Sequence, residues 1–449
     1  MTDGLSLQLR AGTPGQVSAG MYDLDGRTVI LIRADSPDRK GALTPDDGDT
    51  MVRALEMALE KRLPVVLLLA SSGADANHGV AALDGWGRAA RAVSRCSGVV
   101  PILAGVTGPA VTGAALLIGL ADIVVMASDS YAFVSGPIPV RQMTGVSVGL
   151  DELGGAAVHE RSTGAAHAVV ASDDVLPTLA DVLRFLPDHN DTLPPHVPTA
   201  DPADRETPEA GDLLPDTPTG SYDVRDVIRA VVDDDDFVEM RGGWARNLVT
   251  GFACLGGHPV GIVANQPLAI AGTLDIPASQ KGGRFVAFCD AFNLPIVTFV
   301  DTPGFYPGKD LEWRGMIRHG AQLAFAYARA TVPRLAVVLR KSYGGAFIVM
   351  DSKTMGNDTY LAWPSAEIAV MGATQSAQIL RRGASAEEID EYVEHYDATY
   401  LNPYVGAERG FVDGVIDPAD TRRELADLID LLGSKREPLP DRRHDNTPL

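Results

Sequence analysis

In residues 339–353, L-R-K-S-Y-G-G-A-F-I-V-M-D-S-K, a cationic pair stands beside two consecutive glycines. Arg340 and Lys341 close an apolar, β-branched run, and Gly344 and Gly345 then turn the chain into small and apolar residues that can begin a helix. At such a bend the backbone N–H groups have no acceptor of their own, and paired glycines let another molecule approach to contact distance. The chemistry on offer is stabilisation of an anion or oxyanion by main-chain amides. A tight packing turn between a strand and a helix is the other use of the same residues. A related bend, V-T-G-A-A from Val111, repeats the pattern of Y-G-G-A-F from Tyr343. If Gly113 and Gly345 each supply donors, the reaction has two negative charges to stabilise, as when a thioester enolate meets a second acyl-like or ureido carbonyl.

Side chains offer less. The nine histidines contain no H-E-x-x-H and no pair at ligand spacing, and no G-x-S-x-G elbow or P-loop is present. Ser71 and Ser72 lie in a promising loop, residues 71–79, where turn-forming serines far outnumber nucleophiles. Cys96, Cys254 and Cys289 lack metal spacing and read as small buried apolar residues.

The elements that must position these bends follow an α/β order. A strand over residues 28–33, a helix over 51–61 and a buried strand from Pro64 lead to the loop at 71–79. A helix over 81–94 and a strand from Val99 then lead to the Gly113 bend. The charged loop 35–49 holds Arg39 and Lys40, which are either solvated or available to a phosphate-bearing ligand. Residues 191–221 are Pro-rich with almost no apolar pattern and are expected to tether two domains, 1–190 and 222–449. The acidic run 233–236 reads as a solvated helix end. At 449 residues the chain suits two domains of about 200 residues. The second repeats the first: L-P-V-V-L-L-L from Leu63 is echoed by L-P-I-V-T-F-V from Leu294, and V-V-P-I-L-A from Val99 by T-V-P-R-L-A from Thr331. Partner segments keep a near-constant offset along the chain, the mark of internal duplication. With 38 Lys and Arg against 59 Asp and Glu, a formal charge of −21, the surface at large repels nucleic acid and anionic membranes. The cysteine usage and the lack of a leader or of an apolar run of membrane-spanning length lead to an expectation of the cytosol.

Five stretches of the second half closely resemble the carboxyltransferase (β) subunits of biotin-dependent acyl-CoA carboxylases, the propionyl-CoA and acetyl-CoA carboxylase type. They are residues 259–267, 289–305 (C-D-A-F-N-L-P-I-V-T-F-V-D-T-P-G-F), 340–353, 362–373 and 401–413. The first half resembles the family in G-P-A-V-T-G-A, F-V-S-G-P and residues 151–167. The resemblance implies two tandem crotonase-like domains, each a spiral of ββα units. It also implies a homo-hexamer whose active sites lie between the first domain of one subunit and the second of its neighbour. Carboxybiotin delivered by a biotin carboxylase/biotin carrier partner would have its ureido oxygen held by the amides of Gly345 and Ala346. The thioester oxygen of an acyl-CoA, or of a carrier-protein thioester, would be held at Thr112 and Gly113, and the enolate would take up CO2. Tyr343, Gly344, Ser72, Gly73 and Ala74 would line the substrate. No metal is required, and no M-K-M biotin attachment sequence occurs, so biotin is expected on the partner.

This sequence departs from the family in places. Thr112 replaces the first glycine of the first-domain pair, Asp75 and His78 replace an arginine and a glutamate in the loop, and the leading helical segment is not found. Ile348 stands where small-acyl enzymes commonly carry Asp, which predicts a longer or bulkier acyl group. These departures keep two alternatives in view: a biotin-independent enolate-forming enzyme, such as a decarboxylase or acyl transferase, and a non-catalytic paralogue within a carboxylase ring.

Overall fold

A computed structural model describes residues 5–9, 15–36, 38–217 and 219–448. The chain divides into two compact units, Met1–Pro194 with Arg241–Trp244, and Pro195–Met240 with Ala245–Leu449.

The first unit is built on a sheet of β1 (Leu5–Leu9), β2 (Ser18–Leu24), β3 (Arg27–Ala34), β4 (Val65–Ser71), β5 (Ile102–Val111), β6 (Ile123–Ala127), β7 (Tyr131–Phe133) and β8 (Ala168–Val170). Its order is β1-β2-β3-β4-β5-β6-β8, with β7 paired to the far end of β5. From β3 onward the pairing is parallel. That explains the continuous apolar runs of V-V-L-L-L-A-S and I-V-V-M-A, because a parallel strand is covered on both faces. The second unit repeats the plan with β9 (Val238–Met240), β10 (Leu248–Leu255), β11 (His258–Asn265), β12 (Ile296–Thr302), β13 (Arg334–Tyr343), β14 (Thr359–Ala362), β15 (Glu367–Ala369) and β16 (Gly414–Val415). The order runs β16-β14-β13-β12-β11-β10-β9, and β15 pairs with β13. The duplication read from sequence thus holds strand for strand.

Helices obey it as well. The helix Pro45–Lys61 starts at Thr44, which shares a capping box with Asp47 and has Pro at the first turn; Asp47 is fully buried and also accepts from the amide of Val17 at 2.9 Å. Its counterpart Ile276–Ala291 starts at Asp275, whose carboxylate accepts from the amide of Ala278 at 2.9 Å. The three cysteines are free and buried, and burial pushes the Cys96 thiol up to about 11.

Two sequence expectations need correction. From Pro195 the Pro-rich segment is part of the second unit rather than a tether: Val197 donates to Gly257 O and Thr207 to Ala419 O, both at 2.8 Å, and the short helix Pro208–Asp212 buries Ala210. Prolines cannot donate, so this extended chain offers carbonyls instead, and buried Arg422 takes two of them, Pro202 O at 2.9 Å and Asp201 O at 3.3 Å. Nor is Asp233 solvated. It is 3% exposed and accepts from Gly256 N, Gly257 N and Arg422 at 2.7–2.9 Å, so the Arg422 guanidinium offsets the cost of burying its charge.

Candidate active site

In the second unit the register between β12 and β13 shifts after Val300, so Thr302 lies opposite Ser342 and β13 runs on to pair with β15. Beyond Tyr343 the chain bends at Gly344, φ 60°, into the helix Gly344–Val349. The amides of Gly344, Gly345 and Ala346 open that helix and have no intrahelical acceptor. Facing them is the loop after β12. Leu274 donates to Gly304 O at 3.0 Å, Tyr306 donates to Leu274 O at 2.9 Å, and Gly304 N reaches Thr302 Oγ1 at 3.3 Å. The Phe305 amide between them is left unused among the described residues, and a Cβ on Gly345 would stand 3.4 Å from the Phe305 ring.

Charge beneath the bend holds it still. Asp301, 2% exposed, accepts from Tyr222 Oη at 2.9 Å, Arg340 Nε at 3.1 Å and Lys341 N at 3.1 Å. Burial pushes its carboxyl up while Arg340 pulls it down. Arg340 also donates to Gly220 O at 2.7 Å, so it supports the bend from within rather than meeting a ligand. Tyr343 donates its hydroxyl to Glu367, and burial together with that carboxylate raises the phenol pKa. Ile348, 44% exposed, opens onto an apolar groove of about 750 Å³ with Gly345, Phe347, Val370, Tyr400 and Phe411.

The first unit builds the same loop and bend. Leu43 donates to Gly73 O at 2.8 Å, Asp75 N to Leu43 O at 2.9 Å and Gly73 N to Ser71 Oγ at 3.1 Å, which leaves the Ala74 amide unused among the described residues. Opposite, Thr112 at φ 55° leads into the helix Gly113–Leu120. A Cβ on Gly73 would fall 2.5 Å from Thr112 Oγ1, and one on Gly113 2.8 Å from the Trp86 ring, so both glycines are required by close packing. One expected donor is lost, because the Thr112 amide is already bonded to Phe133 O at 3.0 Å. Among the described residues the amides left unused at this bend are therefore those of Gly113 and Ala74.

Around it, Ser71 is buried and donates to Gly41 O at 2.6 Å, and Ser72 is exposed with its amide bonded to Lys40 O at 3.0 Å. Both behave as turn residues. That bond brings exposed Lys40 to the loop, whereas the Arg39 side chain lies outside the described residues. Asp75, 4% exposed, caps its own turn by accepting from Asn77 N at 2.9 Å, and His78 Nε2 lies 4.0 Å from its carboxylate. Sequence reasoning missed Phe305. The signal was present, since T-P-G-F at 302–305 stands in the second copy where S-S-G-A at 71–74 stands in the first.

The carboxyl transferase domain family matches residues 8–447. This chain belongs to that family. The propionyl-CoA carboxylase carboxyltransferase subunit of Haloferax mediterranei is 43% identical over 97% of this chain and 86% of its own length. Among solved structures, transcarboxylase 12S with hydrolysed methylmalonyl-coenzyme A bound superposes with a TM-score of 0.95 at 38% identity, covering 99% of this chain and 90% of that one. A single-chain, multi-domain long-chain acyl-CoA carboxylase gives 0.81 at 25% identity, covering 95% and 44%. The fold is accordingly the tandem crotonase-like one, and the chain is a carboxyltransferase of the acyl-CoA carboxylase type. The biotin-independent and non-catalytic readings are not favoured. Its relatives include biotin-dependent carboxylase subunits. Among the described residues no group of His, Cys, Asp or Glu is placed to hold a metal ion, and no helix is long and apolar enough to cross a membrane.

Proposed function

We propose that this chain transfers CO2 from carboxybiotin, carried by a separate biotin carboxylase/biotin carrier subunit, to the α-carbon of an acyl-CoA. The observation carrying this reading is the pair of equivalent bends, each with amides left unused among the described residues: Gly345, Ala346 and Phe305 in one unit, Gly113 and Ala74 in the other. The residues fit the group. A neutral ureido ring on an aliphatic arm suits an apolar groove, and its carbonyl needs N–H donors rather than charge. When bound, carboxybiotin would supply the CO2 and, after release, the base, so the reaction asks no side chain of this chain to act as general base. Gly345 and Ala346 orient the ureido oxygen, and Gly113 with Ala74 stabilise the oxygen of the thioester enolate.

In this reading the first unit is the acyl-thioester domain and the second the biotin domain, with Tyr343 and Gly344 shaping the entry and Ser72, Gly73 and Lys40 on the acyl-thioester side. The working form in this reading is a homo-hexamer, the assembly that transcarboxylase 12S adopts, and its place is the cytoplasm. Incubation with carboxybiotin-loaded partner and a panel of acyl-CoAs and acyl carrier-protein thioesters tests it: one carboxylated product by mass supports the reading, and none across the panel removes it. Native mass spectrometry gives the subunit count.

We assign Ile348, at the mouth of the apolar groove, to contact with the acyl chain rather than with biotin. A half-exposed isoleucine favours hydrocarbon, each buried methylene being worth about 0.8 kcal/mol. Ile348→Asp is expected to lower kcat/KM for the longest acyl-CoA accepted by about tenfold relative to propionyl-CoA. An unchanged ratio would show that Ile348 only packs on its helix.

A further inference from the structure

Thr112 has the backbone of a glycine. Its φ of 55° and ψ of −111° lie where a β-branched residue is strained, and Gly344, its counterpart in the second unit, has φ 60°. A side chain is thus kept at the one bend position where the duplicated copy dispenses with it. Its hydroxyl is placed against the loop at Gly73. Oγ1 occupies the space that a Cβ on Gly73 would need, at the peptide whose next N–H is the unused Ala74 amide, and Gly113 N follows Thr112 directly. Thr112 is exposed, and Oγ1 has no hydrogen-bond partner among the described residues. Its amide is committed to Phe133 O.

We propose that the Thr112 hydroxyl is a third donor, beside Ala74 N–H and Gly113 N–H, to the thioester carbonyl oxygen of the acyl substrate. This rests on the carboxyltransferase reading given above. The oxygen gains negative charge as the α-proton leaves, so a donor aimed at it acts more on turnover than on binding. Strain at Thr112 is retained because glycine, the relaxed choice, has no hydroxyl to offer.

The test uses the full chain with its carboxybiotin-loaded partner and compares wild type with Thr112→Val, Thr112→Ser and Thr112→Gly. Valine keeps the shape and the strain and lacks only the hydroxyl. It is expected to lower kcat about tenfold with KM little changed, while serine stays within about twofold of wild type. Glycine is expected to raise Tm and to lose kcat as valine does. Valine at wild-type kcat, or glycine faster than wild type, overturns the proposal and leaves Thr112 as bulk at the mouth. Wild type inactive on every thioester overturns the carboxyltransferase reading itself, and this inference with it.

Discussion

Gly345→Pro is expected to lower kcat by about 10²–10³-fold, the usual effect of deleting one oxyanion donor, or about 3–4 kcal/mol of transition-state stabilisation. Proline removes a single N–H and is tolerated in the first helical turn, where that N–H has no intrahelical acceptor. Gly344 precedes it, and glycine accepts the restriction that a following proline imposes. Gly345→Ala is the control. Its Cβ would meet Phe305 at 3.4 Å, an ordinary contact, and the amide survives, so kcat should fall by less than about tenfold. KM for the acyl-CoA should move little in either variant. Should proline retain a third or more of the wild-type rate with an unchanged melting temperature, the amide is not a donor in the reaction.

Much of this site was legible because duplication writes each half of it twice. The near-constant offset between the copies aligns the Gly113 and Gly345 bends, and the structure extends the match to Leu43 with Leu274, Gly73 with Gly304, and Ala74 with Phe305. What stayed hidden depends on where one hydrogen bond goes. Nothing in V-T-G-A-A says that the Thr112 amide is spent on Phe133 O, because β7 reaches that point only by pairing with the end of β5. In a similar way, composition alone makes Asp233 and the Pro-rich segment look solvated. It is Arg422, from a distant part of the chain, that buries the carboxylate and collects the carbonyls. Long-range charge pairing leaves no local period to read.

The two copies also differ in how the bend is supported. At the positions of Asp301 and Arg340 the first unit has Ala70 and Gly108, and a Cβ on Gly108 would lie 3.0 Å from that of Ala70. The first bend rests on close-packed small residues and the second on a buried ion pair with a tyrosine. A packed support has no give, which accords with a backbone strained at Thr112. An ionic one fixes direction as well as distance, since a carboxylate must keep its donors.

Arg334→Met is expected to destabilise the second unit by about 3–5 kcal/mol at pH 8, the cost of leaving one member of a buried ion pair alone. Arg334 and Asp351 are 1% and 0% exposed, and the guanidinium reaches both the Asp351 carboxylate and Met355 O, the latter at 3.0 Å. Asn357 donates to the other oxygen of Asp351 at 2.9 Å. Asp351 lies just beyond the helix that carries Gly345, so this pair ties the end of the donor helix to the start of β13. Burial pushes the Asp351 carboxyl from 3.8 up to about 6, with Arg334 and Asn357 pulling it down. Methionine removes the larger pull, and the folded-state pKa rises further above the unfolded one. A carboxyl of that kind gives stability while protonated and loses it as pH climbs through the raised pKa. The deficit of the variant should therefore be greatest at pH 8 and shrink toward pH 5, the reverse of acid destabilisation. Adding Asp351→Leu should recover most of the loss at every pH, because two apolar side chains leave no charge to desolvate. Denaturant midpoints at the two pH values, for the single and double variants, are the measurement. A deficit that grows as the pH falls would mean that Asp351 stays ionised without its arginine, and that the second bend is anchored by something other than this pair.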